Sequence, residues 1–150
     1  MSKALYTIGY EGINIDSFIA NLRDNNIECV IDVRALPLSR KPGFSKTQLS
    51  KKLQSLDIQY IHLGKLGTPK KIREELKASQ NYTAFFKKMN VYLSNKQDAI
   101  DIAHDHTMNR TCCLMCFEKH VEQCHRKLIA EKIKATNGNG LLIKHIIIND

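Results

Sequence analysis

The chain has 150 residues, with 23 Lys+Arg against 15 Asp+Glu and a net charge of +8. Its 43% hydrophobic and 25% charged residues match an ordinary globular domain, which excludes wholesale disorder. No window approaches the ~18 consecutive apolar residues of a membrane span.

The length predicts one domain over residues 1–150, large enough to fold without a metal or a disulfide. Residues 1–12 lack the apolar core of a secretory leader. The cysteines number five, an odd count. Together these point to reduced thiols in a cytoplasmic protein rather than to a disulfide framework.

Ala4–Ile8 reads as a strand and ends at Gly9-Tyr10-Glu11-Gly12. Asp16–Asp24 carries Phe18, Ile19 and Leu22 at helical spacing and stops at Asn25-Asn26. Glu28–Val33 reads as a buried strand. Ser45-Lys46-Thr47-Gln48 is a capping-box pattern, with Leu49, Leu53 and Leu56 following on one helix face. Gln59–Leu63 is a third strand, ending at Gly64.

Thr68-Pro69 suits an N-cap and first helical position, which predicts a helix over Pro69–Lys77. A further helix starts near Asn81, with Tyr82, Phe85, Phe86, Met89, Tyr92 and Leu93 as a core-facing stripe. Ser94–Asn109 reads as a helix ending in a loop. Arg110–Cys116 is a fourth strand, and Val121–Ala135 is a helix ending at Asn137-Gly138. Leu141–Ile148 is a fifth strand, nearly all apolar.

Strands alternating with helices imply an α/β domain, with a mostly parallel five-stranded sheet and helices on both faces. The apolar runs Val30-Ile31 and Ile146-Ile147-Ile148 predict central strands covered on both sides.

The charge is uneven. Residues 34–88 hold thirteen Lys/Arg and only three acids, Asp57, Glu74 and Glu75. An excess gathered in one third of the chain points to a phosphate-bearing partner, a small molecule or a nucleic acid, although a solvated lysine surface gives the same count. No membrane partner is expected, and oligomeric state is not legible.

In such a fold, ligands bind beyond the carboxyl ends of the strands. Polar and special residues recur there. Gly9 and Tyr10 follow the first strand. Asp32, Arg34, Ser39, Arg40 and Lys41 follow the second. Cys116 and Glu118, then Cys124, His125 and Arg126, follow the fourth. Arg34 and Arg40 can grip an anion bidentately, and Lys41 adds a point charge. Ser45 and the free N–H groups at its helix start could complete the cradle. Asp32 is a base, a metal ligand or the partner that orients Arg34.

Cys124 lies near the expected start of the last long helix, beside His125 and Arg126. Helix N-termini and cations favour thiolate. A nucleophilic thiol with Glu118 as acid or base follows, and Cys116 stands beside them. The alternative is that both cysteines are small buried hydrophobes.

Zinc fits less well. Cys113 and Cys116 are three apart in a strand and point to opposite faces. Cys116, Cys124 and His62 make three donors where a structural site usually has four. His104 and His106 read as exposed loop residues. No metal and no cofactor is expected. No phosphatase-type loop is present, because the position after Cys116 where its arginine would stand is Glu122. No thioredoxin-type site and no Walker loop is present either.

Taken together, Tyr6-Thr7-Ile8-Gly9-Tyr10, Asp32-Val33-Arg34, Ser39-Arg40-Lys41-Pro42-Gly43-Phe44, and Cys116-x-Glu118 with Cys124-His125-Arg126 resemble a prokaryotic family catalogued as domain of unknown function 488. The likeness runs over about residues 4–148. It implies a single α/β domain from a bacterium or archaeon. It implies functional weight at Gly9, Asp32, Arg34, Ser39, Arg40, Phe44, Cys116, Glu118, Cys124, His125 and Arg126. Cys112, Cys113, His104 and His106 lie outside that pattern.

The reading that follows is an enzyme acting on a phosphate-bearing substrate, a nucleotide or a nucleic-acid end, at the C-terminal edge of the sheet. Arg34, Ser39, Arg40, Lys41, His125, Arg126, Gly9 and Tyr10 would hold the anion. Cys124, Glu118, Asp32 and Cys116 would do the chemistry. The alternatives are a nucleic-acid-binding module and a thiol-redox or metal-binding protein.

Overall fold

Side-chain alternation along the strands decides the layering. Cys112–Cys116 forms a strand buried at every position. Cys112, Leu114 and Cys116 pack into one core, and Cys113 and Met115 into another on the opposite face. The computed structural model describes residues 3–148. In chain order the elements are β1 (Ala4–Gly9), α1 (Ile15–Asp24), β2 (Cys29–Asp32), α2 (Lys46–Ser55), β3 (Gln59–His62), α3 (Lys70–Ser79), α4 (Tyr82–Ser94), α5 (Gln97–Asn109), β4 (Cys112–Cys116), α6 (Arg126–Thr136) and β5 (Leu142–His145).

The strands pair in parallel in the order β3-β2-β4-β1-β5. Phe18, Ile19 and Leu22 of α1 and Leu49 and Leu53 of α2 cover one face. Helices α4, α5 and α6 cover the other with Phe85, Met89, Ile100, Ala103, Ile129 and Ile133, and α3 adds Ile72 and Leu76. The α/β architecture with helices on both faces is the one the alternating pattern predicts.

Several expected boundaries shift. The apolar run Ile146–Ile148 is not a central strand. β5 stops at His145 and pairs only with β1, so it forms an edge, and Leu142 and Ile147 are exposed. Ile148 and Ile146 instead fold over the core beneath α1 and α2. An apolar run reports burial of side chains, not the neighbour its backbone finds.

The helix expected over Pro69–Lys77 runs Lys70–Ser79 with Pro69 at its cap. Thr68 is buried, and its carbonyl accepts from Arg73 Nη1 at 3.1 Å. Ser45 does cap α2, but its hydroxyl makes no cap hydrogen bond. It bonds the Ser39 backbone instead, donating to O at 3.1 Å and accepting from N at 3.0 Å. The Gln48 side chain accepts from Gly43 N–H rather than returning to the cap. The expected helix over Val121–Ala135 breaks in two. A 3-10 turn covers Val121–Gln123, Cys124 is extended, and α6 begins at Arg126. Ser94–Asn109 resolves into the end of α4 and the whole of α5.

Two glycines set how closely loops approach the strand ends. A Cβ on Gly9 would overlap the Glu118 carbonyl, and one on Gly67 would overlap the Ala35 backbone. Gly9→Ala and Gly67→Ala should each destabilise the protein by about 1–3 kcal/mol, because backbone must move to admit the methyl group. Gly140→Ala meets only ordinary van der Waals contact and should stay within about 0.5 kcal/mol of the parent. Urea denaturation of the three variants checks the contrast.

Candidate functional site

β1 leads to α1 on one face of the sheet, while its neighbour β4 leads to α6 on the other. Connections that part in this way leave a crevice beyond the strand ends, where open α/β sheets bind ligands. The two strands stay paired past their ends. Tyr10 N–H donates to Cys116 O at 3.1 Å and Glu11 N–H to Phe117 O at 2.8 Å. The crevice holds a cavity of about 610 Å³. Tyr10, Arg34, Cys116, Glu118 and His125 line its floor, and Thr68, Arg73, Leu76, Lys77, Tyr82 and Phe85 reach it from α3 and α4.

Arg34 and Asp32 form the most ordered polar pair there. The Arg34 Nε donates to Asp32 Oδ1 at 2.9 Å and Nη2 donates to Oδ2 at 2.8 Å, with both residues buried. Nη1 donates to the Tyr10 hydroxyl at 3.1 Å, and the Tyr60 hydroxyl donates to Asp32 Oδ2 at 2.5 Å. Burial pulls the Arg34 pKa down, but Asp32 and then Tyr10 outweigh it, and the net shift is upward. Burial, with Asp32 as the next cause, pushes the Tyr60 phenol up. Arg34 is therefore a fixed cation, oriented by the carboxylate, as one of the sequence readings of Asp32 has it.

A second group gathers sulfur. The structure brings the Cys116 and Cys124 sulfurs together across Cα atoms 7.7 Å apart, while Cys29, Cys112 and Cys113 are free. The loop after β4 turns back and carries Cys124 to the strand end. Cys116 reaches the cavity, and Cys124 lies buried behind it. One donor atom each from Cys116, Glu118 and Cys124 all lie within 4.8 Å of one another. Burial raises the Glu118 pKa above that of an exposed carboxyl.

His125 is buried, and its Nε2 lies 2.9 Å from the Val33 carbonyl. A carbonyl only accepts, so Nε2 carries the proton and Nδ1 is bare, 3.7 Å from Cys124 Sγ. Burial lowers the His125 pKa to about 4, so the ring is neutral at pH 7. It is therefore not a cationic anion contact.

Arg126 is turned inward as well. Its Nε donates to Thr7 Oγ1 at 3.1 Å, Nη1 to Cys116 Sγ at 3.1 Å and to the Glu118 carbonyl at 2.5 Å, and Nη2 to the Lys119 carbonyl at 3.3 Å. Burial depresses its pKa.

The remaining expected anion ligands divide. Ser39 lines the cavity, with Oγ accepting from Lys41 N–H at 3.1 Å. Lys41 is tied to the fold, its Nζ donating to the carbonyls of Tyr10 and Ile13 at 3.0 and 2.7 Å. Arg40 is exposed and lies outside the cavity lining. Gly9 serves by its small size. Tyr10 lies in the lining and stacks on Phe44, ring centroids 4.4 Å apart. Sequence reasoning missed Arg73 and Lys77. They stand four apart in α3 and flank Leu76, an i,i+4 basic pair beside an apolar face, which was the available signal.

The fold and the cavity define a class: a doubly wound α/β domain with a strand-end pocket floored by arginine, carboxylate and sulfur. The chain belongs to the family described as domain of unknown function DUF488, whose model matches residues 14–133. No curated protein and no solved structure matches it.

Two outcomes test this geometry. Asp32→Asn leaves the buried Arg34 guanidinium without its counter-charge and should cost about 3–5 kcal/mol of stability by chemical denaturation. The depressed His125 pKa means that the unfolded chain binds its proton first as pH falls. Its contribution is complete above pH ~6.5 and is lost as pH falls through about 4. The loss should approach about 3 kcal/mol, and the stability slope between those pH values should flatten in His125→Asn.

Proposed function

We propose that this protein is an enzyme acting on a small phosphate-bearing molecule, of the nucleotide type, held in the strand-end cavity. The observation that carries the reading is Arg34. It is buried at the cavity floor, with three of its five N–H groups engaged by Asp32 and Tyr10. The two that remain are pre-oriented for an oxyanion. Arg73 and Lys77 at the wall add positive charge, and Tyr82, Phe85, Leu76 and Phe117 offer an apolar flank for a flat body. Cys116 and Glu118 lie across the floor from Arg34 and form the reacting corner. Glu118, whose carboxyl pKa burial raises above that of an exposed carboxyl, is the group placed to give or take a proton.

The lysines weigh against a nucleic-acid track. Lys46, Lys51 and Lys52 belong to α2, which covers one face of the sheet, whereas α3 and α4 lie on the other. The basic excess of residues 34–88 is thus divided between two sides, and no single groove unites it. A small ligand needs only the α3 side.

A thermal-shift panel of phosphate, mono- and dinucleotides, short DNA and short RNA at two salt concentrations tests the reading. A nucleotide at 100-fold excess over its Kd should stabilise the folded state by about 2.7 kcal/mol. For a chain of this length that is about 5–10 °C. The shift should resist salt. Arg73→Ala and Lys77→Ala, both on the cavity wall, should weaken binding about tenfold or more. Glu118→Gln should keep binding and lose turnover. A shift with polymers alone, falling steeply with salt, would overturn the small-molecule reading.

A further inference from the structure

The Arg126 guanidinium is 1% exposed, and among the described residues no carboxylate comes within 4 Å of it. A buried cation requires a compensating negative charge nearby. Its Nη1 instead points at Cys116 Sγ, 3.1 Å away, and its backbone N–H lies 3.5 Å from Cys124 Sγ. Each sulfur therefore has a hydrogen-bond donor of Arg126 facing it, which suits thiolate. Glu118 completes a compact set of two sulfurs and one carboxylate within 4.8 Å. The Cα atoms of the two cysteines stand 7.7 Å apart. Above ~7 Å a direct bridge needs backbone movement. Two thiolates on one tetrahedral zinc are spaced about 3.8 Å sulfur to sulfur, which relaxes that demand.

We propose that, in its reduced form, the protein binds a zinc-type divalent cation through Cys116, Glu118 and Cys124. Two thiolates and a carboxylate bring three negative charges. The cation and Arg126 bring three positive ones, so the buried cluster is neutral. Two thiolates with one carboxylate select a borderline-soft metal such as zinc over magnesium or calcium. Three protein donors leave one tetrahedral position for water or substrate, the arrangement of reactive rather than purely structural zinc. Cys116 and Glu118 line the cavity, so that position lies within its reach. The Arg126 contacts to sulfur would act as outer-shell support for the ligands. The inference deepens the reading of the cavity as an active site. With metal bound, Glu118 would serve as a ligand rather than as the acid or base.

The test uses the full chain and no substrate, so its failure is separate from failure of the nucleotide reading. A phosphine reductant with water converts a Cys116–Cys124 disulfide to two thiols and leaves as its oxide, which guarantees the dithiol form. The reduced protein is then titrated with Co²⁺, followed by competition with Zn²⁺. Two thiol protons are released on binding. Expected are one equivalent of cobalt, a thiolate-to-cobalt charge-transfer band, and the visible bands of tetrahedral cobalt, all removed by zinc. Cys116→Ser and Cys124→Ser should abolish the charge-transfer spectrum or reduce it to that of one thiolate. Glu118→Gln keeps both sulfurs and lies outside the core, and it should weaken binding about tenfold or more. His120→Asn changes an exposed potential ligand in the same loop and should leave binding as it was. The proposal is overturned if the reduced chain binds neither metal. It is equally overturned if Glu118→Gln binds like the parent, or if His120→Asn weakens binding as much as the three ligand variants.

Discussion

A buried guanidinium at the C-terminal edge of the sheet organises this molecule. Arg126 opens α6 and reaches back through the sheet edge to Thr7 on β1, Cys116 on β4 and the carbonyls of Glu118 and Lys119. One side chain thus ties two neighbouring strands, the loop after β4 and the last helix. The tie works only because Gly9 has no Cβ, which lets the Glu118 carbonyl press against β1. The loop that carries Glu118 and Cys124 is held where it is by that contact. The cavity floor, and the grouping of sulfur with carboxylate, both depend on it.

A second buried arginine sets the other half of the floor by different means. Arg34 is held by a carboxylate fork from Asp32, two residues earlier at the end of β2. Tyr10 and Tyr60 close the network from β1 and β3. The His62 ring bonds the Arg34 carbonyl at 2.8 Å, and His125 bonds the Val33 carbonyl. Backbone leaving β2 is therefore clamped on both sides. The two arginines differ in what balances their charge. Arg34 has a carboxylate, while Arg126 has sulfur and carbonyl oxygen. In the readings proposed above, that difference assigns Arg34 to the ligand and Arg126 to the support of the sulfurs.

Much of the site was legible as a recurrence. Gly9, Asp32, Arg34, Cys116 and Glu118 each follow or end a strand, and parallel strands carry such residues to one edge of the sheet. What did not follow was each side chain's direction. Arg126, Lys41 and His125 read as anion ligands, yet their donors are taken by internal carbonyls, sulfur and a hydroxyl. Cys124 read as lying near the start of the last helix, and it does stand just before the His125 cap of α6, but the helix begins later than expected, after a 3-10 turn over Val121–Gln123. Arg73 and Lys77 were counted only as surface charge, because local sequence does not say which face of α3 covers the crevice.

Local periodicity determined the element types, the α/β class and the burial of β2 on both faces, although the same apolar signal placed the fifth strand at the centre and it lies at the edge. Those properties depend on each segment's own pattern of apolar and polar residues. The order β3-β2-β4-β1-β5, the edge position of β5 and the partner of every buried polar group depend on contacts between residues far apart in the chain. Cys116 and Glu118 share a cavity with Arg34, 82 and 84 positions away in sequence, only because β4 inserts between β1 and β2. Tertiary packing alone decided that Arg34, sulfur and carboxylate would share one crevice, with Arg126 packed against the Cys116 sulfur, since no local pattern encodes which strands become neighbours.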